Sequence, residues 1–105
     1  MAYDPKDFNS AETSANARGI VFHAGSRRRF LPYGCLLDVE IAGGATDLQF
    51  HYTHCTVVVT GRNLQSLHDF ASEFVLAVVR ESSLAVVVGP RPIVQRIEIM
   101  ELAAP

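Results

Sequence analysis

A chain of 105 residues, 49% apolar and 19% charged, has the length of one domain and enough apolar residues for a single core, which excludes a disordered chain. Its formal charge of −2 excludes a global pull toward nucleic acid or anionic lipid. The two cysteines, Cys35 and Cys55, stand apart with no CxxC, which excludes a disulfide framework, a zinc ribbon and a thioredoxin-like redox site.

Residues 1–18 are small and polar and carry no hydrophobic period, so they are expected to form a flexible arm, with Tyr3 or Phe8 docking on the body or on a neighbouring chain. They contain no apolar signal core, and the longest helical apolar run, FVLAVV, is far short of the roughly 20 residues that span a bilayer. The expected setting is the cytoplasm, with reduced thiols and no membrane partner. A single folded domain is expected over residues 19–104.

GIVFHA (19–24) reads as a first strand, and GSRRRFLP (25–32) as a loop with Gly25, Ser26 and Pro32 as breakers. In YGCLLDVEIAGG, Tyr33, Cys35, Leu37, Val39 and Ile41 fall on one face and Leu36, Asp38 and Glu40 on the other. That alternation is a half-buried strand, closed by a Gly43–Gly44 turn. DLQFHYTHCTVVVT (47–60) alternates again and reads as a hairpin turning near Thr53–His54.

The following segment has helical spacing. Leu64, Leu67, Phe70, Ala71, Phe74, Val75 and Val78 share one arc, and Asn63 suits an N-cap. The spacing predicts an amphipathic helix over 63–81, with Leu76 out of place in the middle of its polar face. LAVVV (84–88) and PIVQRIEIMEL (92–102) read as two last strands joined by GPRP. The expected fold is α+β: a mostly antiparallel sheet of about five to six strands with the long helix across one face.

HYTHC (51–55) gathers two histidines and a cysteine. In a strand, His51 and Cys55 share a face while His54 points away, and residues four apart are roughly 13 Å distant. Donors to one zinc ion must lie about 2.0–2.3 Å from it, so one strand cannot collect His51, His54 and Cys55. Sheet and turn roles are expected for all three, and no metal or cofactor is assigned. Asp38 and Glu40 share the wet face of their strand and could hold a proton or a cation, but no third ligand stands near them in the sequence.

SRRRFLPY is the densest charge signal, with four arginines and no acid between Arg18 and Tyr33. Arg27, Arg28 and Arg29 with Phe30 and Tyr33 could hold phosphates and stack on bases, protect a sheet edge, or meet acidic residues of a second subunit such as Asp38, Glu40 or Glu98. TGRNL lacks the pattern of a phosphate loop, so Asn63 is read as a cap, and Arg91 between prolines is read as part of a turn.

No nucleophile motif such as GxSxG is present, and a catalytic role is not expected. Ile93, Ile97 and Ile99 on one face of the last strand and Val94, Met100 and Leu102 on the other suggest a partner layer. The leading expectation is a non-catalytic, self-associating interaction module, a homodimer joined through Leu76, Val79, Ile97 and Ile99. The alternatives are a binding domain for RNA, DNA or a phosphorylated metabolite on the basic loop, and a metal-dependent protein built on His51, His54 and Cys55.

Overall fold

A computed structural model describes residues 11–81 and 92–102. The elements within them are β1 (Ala11–Thr13), β2 (Gly19–Ala24), β3 (Arg27–Pro32), β4 (Leu36–Ala42), β5 (Asp47–Tyr52), β6 (Cys55–Arg62), α1 (Gln65–Ser72), β7 (Leu76–Arg80) and β8 (Ile93–Glu101). They build two four-stranded sheets, ordered β1-β7-β2-β3 and β4-β5-β6-β8. All neighbours are antiparallel except β2 and β7, which run parallel. The sheets stack face to face. Phe22 of the first sheet meets Phe50 of the second edge-on at 5.2 Å between ring centroids, and Tyr52 at 6.4 Å. Ile20, Leu31, Leu48, Val57, Val59 and Val94 fill the space around these rings. No helix among the described residues is long and apolar enough to cross a membrane.

This two-sheet sandwich replaces the expected α+β fold with its helix over 63–81. The helix covers only Gln65–Ser72, and the chain from Leu76 onward is a strand. The stop is a Schellman motif. The Phe74 amide donates to the Ala71 carbonyl, the Val75 amide donates to the Phe70 carbonyl, and Phe74 itself is left-handed with φ 59°. Glycine usually fills that position, so the end of the helix carries no glycine signal. Leu76, a misfit on a helix, is fully buried as the first residue of β7. The apolar residues after it, Ala77, Val78 and Val79, suit a strand better than a helix. Leu64 takes the N-cap position expected for Asn63, and Asn63 is left-handed at φ 56°.

Other differences follow from irregularities that alternation cannot report. Residues 11–13, expected in a flexible arm, form the edge strand β1, and the Ser14 amide continues the contact by donating to the Val75 carbonyl. The expected basic loop is mostly strand: β2 and β3 form a hairpin across Gly25–Ser26, with Gly25 at φ 64°. In β4, a bulge at Leu37 turns Leu36 toward Tyr52 and leaves Leu37 70% exposed, which reverses the faces expected for these two residues. In β8, a bulge at Gln95 lets Val94 and Ile97 both face the core. The strand's two-sided apolar pattern therefore needs no partner layer over Val94. The β5–β6 hairpin turns at Thr53–His54 as expected, and its tip is fastened on both sides. The Thr53 amide donates to the Cys35 carbonyl, and the Leu102 amide donates to the His54 carbonyl. The expected docking of Tyr3 or Phe8, the strand at 84–88 and the turn at Arg91 lie outside the described residues.

One carboxylate links the sheets. Glu81, just beyond β7, accepts from the Gly25 amide in the β2–β3 turn and from the Ile97 amide of β8, at 2.8 and 2.9 Å. It thereby occupies a backbone donor on the side of β8 away from β6.

Candidate functional site

HYTHC is dispersed by the hairpin. Cys55 faces the core, His54 occupies the turn, and His51 points outward from β5. The three do not converge. His51 has other company, which the pairing of β4 with β5 supplies. Asp38 stands directly opposite His51, and Glu40 follows two residues along β4 on the same face. Donor atoms of Asp38, Glu40 and His51 all lie within 4.8 Å of one another, and His51 Nε2 is 2.8 Å from Glu40 Oε1. The sequence offered both halves of this cluster separately. The signal that joins them is the loop at 43–46: once Ala42 is set opposite Asp47, Asp38 must fall opposite His51.

The arginines divide by strand alternation. Arg27 and Arg29 share the inward side of β3 with Leu31, at the rim of the sandwich. Both meet Glu101 at the end of β8, Arg29 closely and Arg27 at 3.7 Å. Within the chain, Glu98 is 3.0 Å from Arg96 on its own strand. Arg28 and Phe30 point outward and are exposed. Tyr33 is withdrawn from any basic-aromatic patch: its hydroxyl donates to the Leu76 carbonyl and its ring meets Phe74 edge-on at 5.2 Å. The five residues expected to form one anion site are thus split between a cross-sheet ion pair, an outer face and a packed turn.

The residues expected to join subunits are mostly core. Leu76, Val79 and Ile97 are buried between the sheets, and Ile99 packs against them in part. Exposed apolar side chains lie elsewhere. Leu37 at its bulge and Phe74 in its left-handed turn flank a groove of about 260 Å³, lined also by Leu36, Asp38, Val39, Ala71 and Ser72. α1 closes one side of this groove, with His68 Nε2 donating to the Val39 carbonyl at 3.2 Å.

Burial also governs the phenols and the thiol. Desolvation pushes the Tyr33 hydroxyl up to about 12, partly offset by its bond to Leu76. The Tyr52 hydroxyl is buried without a hydrogen-bond partner, and desolvation pushes it up as well, helped by Tyr33, Cys55 and Cys35 nearby. Burial raises the Cys55 thiol despite the opposing pull of Arg29, so Cys55 is a poor nucleophile at neutral pH. A raised phenol leaves stability intact below the ordinary value of 10. Above it the unfolded chain ionises first, and stability falls as pH climbs toward the folded values. Melting temperatures measured between pH 9 and 11.5 are expected to drop, and Tyr52→Phe should flatten the decline; an unchanged melting temperature would contradict the burial of both rings.

Compared with protein-family models, curated proteins and solved structures, the chain matches none of them. The geometry just described is therefore what carries a functional reading.

Proposed function

We propose that the chain is a non-catalytic interaction module that forms a homodimer through the groove between β4 and α1. The observation that carries this reading is Phe74. A left-handed backbone costs a non-glycine residue roughly 1–2 kcal/mol, and glycine would close the same Schellman motif without that cost. Yet a phenylalanine stands there, 59% exposed beside the groove. Its ring meets Tyr33 edge-on within the chain and still leaves most of its surface open, so we read the strain retained there as serving a contact as well as the fold.

A second copy is the occupant that fits. A two-fold interface requires one patch that complements itself. Here a projecting Leu37 lies beside a hollow of about 260 Å³ lined by Leu36, Val39, Ala71 and Phe74 together with Asp38 and Ser72, so each copy offers a knob and a hole. The other edges of the described sheets are less available. β1 has three residues, β3 opens with Arg27, Arg28 and Arg29, and β8 has Glu81 on its Ile97 amide. A cytoplasmic setting belongs to the same reading and is supported by two free cysteines.

Light scattering behind a sizing column tests the reading. The unmodified chain is expected to run at twice its monomer mass, and Leu37→Glu at the monomer mass with an unchanged melting temperature, because Leu37 makes few contacts within its own chain. Phe74→Gly is expected to dissociate the dimer too while leaving stability level or higher. A monomeric unmodified chain at high concentration, or a Leu37→Glu variant that stays dimeric, would refute it.

A further inference from the structure

We infer that Asp38, Glu40 and His51 form a divalent-cation site on the outer face of the second sheet, suited to zinc or a similar borderline ion. Asp38 also borders the groove beside α1, but the site rests on strand register and donor spacing, not on the proposed dimer.

The argument begins with how the three side chains are held. Asp38 and Glu40 leave β4 on one face, and His51 leaves β5 on that same face opposite Asp38. Their backbones are fixed by the β4–β5 ladder, and β6 holds β5 from its other side, so the ligands stand on paired strands rather than on a loop. The donor atoms lie within 4.8 Å of one another. Donors about 2.1 Å from a shared tetrahedral ion lie about 3.5 Å apart, so side-chain rotation of the two exposed carboxylates closes the set without moving backbone.

The chemistry of the donors selects the ion. Two carboxylate oxygens and one imidazole nitrogen suit zinc, cobalt, nickel or manganese. Magnesium and calcium prefer sites made of oxygen alone and gain little from the imidazole. Binding requires the lone pair of His51 Nε2, the atom now 2.8 Å from Glu40 Oε1. The proton on that nitrogen is exchanged through solvent for one on Nδ1, so the ring stays neutral, and Glu40 exchanges a hydrogen bond for a metal bond. Three protein ligands leave further coordination positions to water. Among the described residues, His23, His54 and His68 join no such set: the His54 ring meets the neighbouring Thr53 hydroxyl and the Tyr52 ring, and His68 donates to the Val39 carbonyl.

The test is calorimetric titration of the chelator-treated full chain with zinc chloride, and with magnesium chloride in parallel, alongside nuclear magnetic resonance of the histidine ring nitrogens. The expected result is one zinc per chain, a shift of the His51 Nε2 signal, and at least about tenfold weaker binding in Asp38→Asn, Glu40→Gln and His51→Ala. His54→Ala should bind as the unmodified chain does, and magnesium should not shift His51. All these positions are at the surface, so unchanged circular dichroism will confirm that each variant is folded. No heat or signal shift up to about 1 mM zinc, a limit equal to roughly 4 kcal/mol of binding, would overturn the inference. So would zinc binding that survives His51→Ala.

Discussion

Leu76→Asp is expected to abolish the folded state at room temperature, with a loss of more than about 4 kcal/mol. Leu76 is fully buried, and removing its side chain alone costs about 2–5 kcal/mol in transfer and cavity terms. A carboxylate in its place would have no water, adding several kcal/mol unless it took up a proton. Domains of this size have only about 5–15 kcal/mol in total. The milder Leu76→Ala should fold and lose about 3 kcal/mol, which urea unfolding can read even if the aspartate variant never folds. On the polar side of a helix over 63–81, the same leucine would tolerate either change within about 0.5 kcal/mol. A small effect from both variants would therefore restore the long helix.

Phe22→Ala has a comparable expected cost, about 4 kcal/mol. Its ring meets Phe50 and Tyr52 of the opposite sheet, so truncation opens a cavity where the two sheets are joined. Phe30 provides the internal comparison. It is exposed on the outer face of β3, and Phe30→Ala should cost well under 1 kcal/mol. Denaturant midpoints of the two variants, measured side by side, are expected to differ widely. Equal midpoints would mean that the sheets do not stack through Phe22.

Much of the strand content was legible because alternation and turn residues agree there. GIVFHA, the Gly43–Gly44 turn and the Thr53–His54 hairpin all form as their residues indicate. The errors cluster where a backbone irregularity breaks a period. Phe74 ends the helix from a position where glycine is the usual mark, and the apolar spacing runs on through it into β7. Bulges at Leu37 and Gln95 each place consecutive residues against expectation. Three successive arginines disguised β3, because two of them reach Glu101 at the rim rather than water alone.

The candidate sites show the same division. Asp38, Glu40 and His51 were each visible as polar residues on wet faces, but only the strand register unites them. The groove between β4 and α1 was not legible at all. It depends on where the helix stops and on a bulge that turns Leu37 outward, and both are long-range outcomes of packing.

The most direct test of the two-sheet sandwich is the set of backbone carbon chemical shifts from Asn63 to Glu81. The account predicts helical shifts that end at Ser72, a left-handed signature at Phe74, and extended shifts from Leu76 to Arg80 with amides slow to exchange. Unbroken helical shifts through Arg80 would contradict it.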